Sequence, residues 1–376
     1  MQQRLRSANI PALDGMRALA VFLVIFYHFG FAAIPGGLGV LGFFVLSGFL
    51  ITWLLLKEND KQGTISLSNF YIRRVLRIFP AFYAYWIGVV LLMLIAGRHV
   101  PWRSALSSFF YLGNYYNAIV RPADSFVSHT WSLAIEEQFY LLWPALLLLF
   151  RKDLVRLSRV ILGIILFEWI YRGILAYGFG VNQSYIYNAF DTRLDHLMVG
   201  CLLAVQLYRG AWRPVWASIC SRTFLPVATI TLLTFSVFLG AHFGTAYRDV
   251  IGFALDPILV AILLVQLVQF SAKPAWSWIN WPWMKFLGRI SYSLYLYQEI
   301  TLYPARRILA GHSVALQLLA AVAGTVLIAT VSYYFIERPF LKLKSKFGGE
   351  ARPGKTHSAI RLTTALGTSQ TWNATD

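Results

Sequence analysis

Two residue pairs in this sequence combine types and spacing that could do chemistry. In LDGMRALAVFLVIFYHF, Arg17 and His28 are eleven positions apart. Eleven steps of about 100° bring both side chains to one helical face, roughly 16 Å apart along the axis. The planar guanidinium of Arg17 suits bidentate phosphate binding. A histidine, titrating near neutrality, suits proton abstraction from a hydroxyl. The same positions also admit a structural reading, in which Arg17 snorkels to the surface and His28 hydrogen-bonds inside a bundle. The second pair, Arg74 and Arg77 in NFYIRRVLRIFP, shares a helical face at a spacing of three, with Arg73 beside it. Such a cluster serves nucleotide phosphates or ordinary anchoring on anionic lipid.

Further candidates stand alone. Ser47 in GVLGFFVLSGFLIT is either a substrate contact or a helix-packing serine among the small residues Gly42 and Gly48. In HTWSLAIEEQFYLLWP, Glu136 and Glu137 point about 100° apart, so only one need face a cavity. Glu136 is placed to pair with an arginine or to orient a histidine, and His129 lies on the same outer side as His28. Asp191, Arg193, Asp195 and His196 form either an internal ion-pair network or the lining of an acceptor cleft. Arg289, Ser291, Tyr292, Gln298 and Glu299 follow late in the chain, and Glu337 opens a Glu-Arg-Pro helix end that reads as structural. The two cysteines, Cys201 and Cys220, show no zinc or redox spacing, and no metal site is expected.

The elements that must hold these residues are set by composition. Hydrophobic residues make up 58% of the 376, charged residues 13%, and mean hydropathy is +0.59. A soluble domain carries about 25% charge, so a bilayer is the solvent that suits this surface. The fold class is therefore all-α, a polytopic membrane helical bundle with about ten transmembrane helices. Ten stretches are apolar over the ~20 residues a crossing needs: 13–33, 37–56, 78–97, 131–150, 158–178, 190–208, 223–243, 250–270, 286–305 and 314–336. The stretch 104–120 reads as re-entrant or interfacial. The basic start is read as the flank of a retained first helix rather than a cleaved signal, because Asp14, Arg17 and His28 interrupt the apolar run. Residues 1–344 form one membrane-embedded domain; 345–376 are a polar, disordered cytoplasmic tail.

With the N-terminus in the cytoplasm, 24 of the 33 Lys and Arg fall on the cytoplasmic side and six opposite (Arg98, Arg103, Arg121, Arg248, Arg306, Arg307), while Arg17, Arg172 and Arg193 lie within spans. That bias places both termini inside. It also accounts for the net charge of +17 without nucleic acid, since the basic residues sit in short clusters between apolar runs.

Taken in order, LDGMRALAVFLVIFYH, GFFVLSGFLIT, RRVLRIFP, WSLAIEEQFYLLWP, RLDHLMVGCLLA, GRISYSLYLYQ and FIERP resemble the acyltransferase-3 family of integral membrane acyltransferases over residues 11–340. The resemblance implies a bacterial inner-membrane enzyme with an acyl-CoA co-substrate, usually acetyl-CoA, and no tightly bound cofactor. It implies a glycan or glycolipid acceptor, such as a cell-surface polysaccharide or lipo-oligosaccharide, and polysaccharide-biosynthesis partners. The family's Arg-x10-His pair falls on Arg17 and His28, its FFxxSG motif on Phe43, Phe44, Ser47 and Gly48, and its RxxR motif on Arg74 and Arg77. The expected mechanism has Arg17, Arg74 and Arg77 hold the CoA phosphates, with Ser47 on the donor path. His28 deprotonates the acceptor hydroxyl, and Glu136 holds its tautomer. Two departures stand out: Gln298 replaces a histidine that many relatives carry, and no appended esterase-like domain is expected. The rival reading is a flippase or transporter of a lipid-linked glycan, which explains the spans but not the ordered motifs.

Overall fold

The computed structural model describes residues 10–120, 125–344 and 347, and every regular element among them is a helix. Three long helices come first: α1 (Pro11–Phe29), α2 (Gly36–Gln62) and α3 (Leu67–Ile95). Pro11 sits in the first turn of α1, where its missing N–H has no partner to lose. Gly30 ends α1 at φ +117°, a conformation that a side chain would strain. Two short helices follow, α4 (Trp102–Phe109) and α5 (Gly113–Val120), then α6 (Ser128–Phe150) and α7 (Leu154–Gly178). Next come α8 (Gln183–Asn188), α9 (Leu194–Arg209), α10 (Arg213–Ile219), α11 (Leu225–Phe243) and α12 (Thr245–Phe270). The last four are α13 (Pro282–Arg289), α14 (Ser291–Tyr297), α15 (Glu299–Ile308) and α16 (Val314–Leu343).

Eight of these, α1, α2, α3, α6, α7, α11, α12 and α16, are long and apolar enough to cross a membrane. They match eight of the ten expected spans. The other two are built differently. The sixth, α9, has 16 residues, which reach only about 24 Å against a hydrocarbon core of about 30 Å; most of it is buried among other helices. The ninth is not one helix but three, since the run 282–308 breaks at Ile290 and again at Gln298. Its first piece, α13, is held against α1, because a Cβ on Gly288 would collide with the Asp14 carbonyl.

The segment 104–120 forms α4 and α5, neither long enough to span. Tyr111 joins them at φ +54° and stacks on Phe82 at 4.4 Å. Pro80, near the start of the expected span 78–97, lies inside the 29-residue α3. The arginine-bearing segment and the span are thus one continuous rod. A proline removes one backbone hydrogen bond, but away from water the rest of the helix has no better alternative than to persist. The tail 345–376, expected to be disordered, lies outside the described residues except for Phe347, whose carbonyl accepts a 2.8 Å bond from Arg73.

The bundle has an inside and an outside. In α2, 67% of the apolar window is buried within the protein, in α16 only 17%. Leu319, Leu327 and Phe335 of α16 are exposed, so that helix faces lipid. At the centre α2 crosses α9 backbone to backbone: a Cβ on Gly48 would overlap the Leu197 carbonyl, and one on Gly200 would overlap that of Val45. Small residues here do what membrane helix packing needs in the absence of a hydrophobic driving force. Cys201, the residue after Gly200, is buried with its thiol 3.6 Å from the Gly48 carbonyl. We predict that Gly48→Val or Gly200→Val lowers stability by at least the upper end of the ~1–3 kcal/mol typical of overpacking, because the obstacle is backbone. Gly42→Ala, whose Cβ would rest 3.6 Å from Ala20, should melt like wild type; thermal unfolding in nanodiscs checks both.

Candidate active site

A cavity of about 300 Å³ opens among α1, α2, α3, α6 and α14. Arg17, Ser47, Arg74, Arg77 and Glu136 all line it, so five of the six residues singled out for chemistry meet in one place. Arg74 and Arg77 share a face of α3, as their spacing requires. Ser47 donates to the Glu136 carboxylate at 2.8 Å, and Tyr140, one turn along α6, donates to its other oxygen at 3.5 Å. Arg17 pairs with Asp14 at 3.4 Å. The Arg74 guanidinium lies over the Phe70 and Tyr140 rings at 5.4 and 5.6 Å, and its Nε has no hydrogen-bond partner. The cavity therefore presents three guanidiniums, with Lys57 at its edge, to whatever enters. Arg73 points elsewhere: it bonds Glu58 at 2.6 Å and braces the α2–α3 turn.

His28 is not in this cavity. It lies in the last turn of α1 with Nδ1 3.1 Å from Oε1 of Glu299, in the first turn of α15. Each sits where its helix terminus favours its charge. The separation is within ion-pair reach although the ring N–H is not aligned on the oxygen. This corrects the expectation for Glu136. Its oxygens accept from Ser47 and Tyr140, and Glu299 is the carboxylate that faces the imidazole.

Between the cavity and the His28–Glu299 pair stands a wall of three residues. Tyr295 and Ser132 line the cavity. The Tyr295 hydroxyl donates to the His129 carbonyl at 2.6 Å and lies 2.7 Å from the Ser132 hydroxyl. The buried His129 ring packs on Tyr295 at 5.5 Å, bonds the Leu296 carbonyl at 3.2 Å, and lies within electrostatic range of His28. Gln298, fully buried, donates to the Tyr295 carbonyl at 3.2 Å.

The charges at the start of α9 resolve into an ion-pair network rather than a cleft. Arg172 grips Asp195 with both nitrogens, at 3.1 and 2.8 Å. His196 Nδ1 lies 2.7 Å from the same carboxylate, and Glu168 accepts the Asp195 N–H at 2.7 Å. The Arg193 guanidinium stacks over Phe253 at 4.1 Å. Asp191 accepts three phenols, from Tyr115, Tyr171 and Tyr185, at 3.0 to 3.1 Å. Burial and the Asp191 charge push the Tyr115 phenol up to about 12, which keeps it a donor. Glu337 accepts from Ser293 at 2.5 Å, in keeping with a structural role.

Sequence reasoning passed over Glu299, Tyr295, Ser132 and Tyr140 as members of the site. The one signal for Glu299 was a carboxylate inside an expected span, which in hydrocarbon calls for a partner.

Fold and site together define a multi-pass helical membrane protein with an arginine-lined intramembrane cavity beside a histidine–carboxylate pair. The chain belongs to the acyltransferase-3 family: residues 10–337 match the family profile, described as an acyltransferase domain. It is 34% identical over 351 residues to the peptidoglycan O-acetyltransferase OatA of Listeria monocytogenes, covering 89% of this chain and 56% of that protein. A putative peptidoglycan O-acetyltransferase of Bacillus subtilis is also 34% identical, with coverage of 88% and 54%. A putative O-acetyltransferase of Staphylococcus aureus is 33% identical, with coverage of 89% and 57%. The chain thus spans about half the length of the curated relatives it matches. No solved structure matches it significantly.

The two kinds of charge should separate by mutation. We predict that Asp195→Ala loses about 3–5 kcal/mol of stability, because it leaves Arg172 buried and unpaired. Arg74→Ala, which forfeits only contacts with two rings, should stay within about 1 kcal/mol of wild type in the same nanodisc melt.

Proposed function

We propose that this protein is a membrane O-acyltransferase that moves an acetyl group from acetyl-CoA to a hydroxyl of a sugar-containing acceptor. The observation that carries the reading is the placement, on the single helix α1, of an arginine inside a three-guanidinium cavity and a histidine paired with a carboxylate. The activities of the relatives, O-acetyltransferases of peptidoglycan among them, support acetyl as the group and a cell-surface polysaccharide such as peptidoglycan as the acceptor; a lipo-oligosaccharide is the alternative the family resemblance implies.

In this reading the chain lies in the bacterial inner membrane with both termini in the cytoplasm and works beside polysaccharide-biosynthesis partners. Acetyl-CoA enters from the cytoplasm as a co-substrate. Arg17, Arg74 and Arg77 hold its phosphates through charge-assisted bonds. Ser47 and Glu136 shape the path of the pantetheine arm. The thioester passes the Tyr295–Ser132 wall toward His28, so that wall must open. Glu299 fixes the proton on His28 Nδ1, leaving Nε2 to accept. The acceptor hydroxyl attacks the thioester carbonyl while its proton goes to Nε2. The carbon–sulfur bond then breaks, and the CoA thiolate leaves with that proton. No covalent acyl-enzyme is required.

The test uses protein in nanodiscs, acetyl-CoA labelled on the acetyl group, and a host glycan extract. Wild type should label glycan. His28→Ala should lose at least about a hundredfold in rate, the range of general-base catalysis. Glu299→Ala should lower kcat with little change in KM for acetyl-CoA. Arg74→Ala should raise that KM about tenfold, the worth of a charge-assisted bond, with kcat kept. Equal labelling by wild type and His28→Ala would remove His28 from the chemistry; no acetyl-CoA binding at all would move the lipid-linked-glycan flippase ahead.

A further inference from the structure

A second groove, of about 260 Å³, runs between the end of α3 and α15. We propose that it docks the acceptor, and that the acceptor is a lipid whose phosphate headgroup carries the sugar; the assignment of an acceptor rests on the acyl-transfer reading above.

The walls are apolar: Leu92 and Met93 from α3 face Ile300 and Ile308 from α15. Leu92 and Ile308 are exposed, and Leu91, Leu94 and Ile95 extend the same apolar surface along α3. The groove is therefore open to the hydrocarbon, and a ligand reaches it from the bilayer. Its charged lining is two arginines, Arg98 and Arg307. Both are exposed, and among the described residues neither is within ion-pair reach of a carboxylate. Arg307 is 3.5 Å from the Tyr303 hydroxyl. An apolar slot ending in two uncompensated guanidiniums is complementary to a hydrocarbon chain ending in phosphate.

Position selects the lipid-borne acceptor over bulk phospholipid. Glu299, the partner of His28, directly precedes Ile300 of the groove. Arg306, on the same helix, lies over the Phe29 ring at 5.7 Å, next to His28. A lipid held by Arg98 and Arg307 thus lies along the same helix that carries the carboxylate partner of His28. The charge bias along the chain assigns only six of the 33 basic residues to this side, and three of them, Arg98, Arg306 and Arg307, lie at or beside this groove. Positive-inside anchoring, which collects basic residues on the other side, does not explain that.

The test takes the full chain in phosphatidylcholine nanodiscs, titrated with a polyisoprenyl monophosphate, with bound lipid counted by native mass spectrometry. Binding should saturate. Arg98→Gln and Arg307→Gln should each weaken it about tenfold, with Arg→Lys at either position recovering part of the loss. The polyisoprenol without phosphate should bind as weakly as the variants. Acetyl-CoA binding, measured in the same samples, reports that each variant is folded. Variants that bind the lipid phosphate like wild type would overturn the proposal. So would displacement by phosphatidylglycerol at equal concentration, which would make the groove a bulk-lipid contact. Lipid phosphate bound normally by a protein that fails to bind acetyl-CoA would leave the site standing and sink the acyl-transfer reading instead.

Discussion

The structure depends on one close approach. α2 and α9 touch through Gly48 and Gly200, each lying against a carbonyl of the other helix. No side chain fits between them, so the rotation and height of α2 are fixed without any hydrophobic driving force, which lipid does not supply. Ser47 precedes Gly48, and the register that seats the glycine on α9 also turns the serine toward Glu136. Phe44, one turn earlier and fully buried, edges onto both Trp131 of α6 and His196 of α9. The cavity thus inherits its shape from a contact outside it.

Around that contact the protein sorts its charges into two kinds. Those between α7 and α9 are neutralised and carry no visible access: Arg172, Asp195 and His196 are fully enclosed. Such a network resists loss of a member more than it adds net stability, and it fixes how α7 sits on the core. The charges on α1, α3 and α6 are different. Arg17, Arg74 and Arg77 surround open space, and the rings under Arg74 support its charge without cancelling it. A membrane protein tolerates such a group only where water or a ligand completes it.

Much of this was legible in the sequence. Arg74 and Arg77 share a face as their spacing implied, because helical periodicity is local and survives tertiary packing; that Arg17, Ser47 and Glu136 lie with them was suggested by the order of the motifs and not by any spacing. The positions that were misjudged all needed long-range information. Glu136 and Glu299 are both carboxylates within apolar runs, and nothing local says that the second, 271 positions from His28, is the one that meets it. The break at Gln298 is silent in composition, because three short helices and one long one carry the same apolar residues. Pro80 is the opposite case. Its local preference marks a boundary, and hydrocarbon overrode it.

The wall of Tyr295, Ser132 and His129 has an electrical meaning. A bilayer under tension from a membrane potential behaves as a capacitor whose field spreads over the thickness of its insulator. Here the arginine-lined cavity and the partly exposed His28–Glu299 pair are both polar, so the insulator between them narrows to a few side chains. Most of the voltage then falls across that partition instead of across the ~30 Å hydrocarbon core. Any charge carried through it does work of about 2.3 kcal/mol per 100 mV. A partition that thin is also where an ion gradient across the membrane would discharge, which gives the hydrogen bonds of Tyr295 a second duty as dielectric.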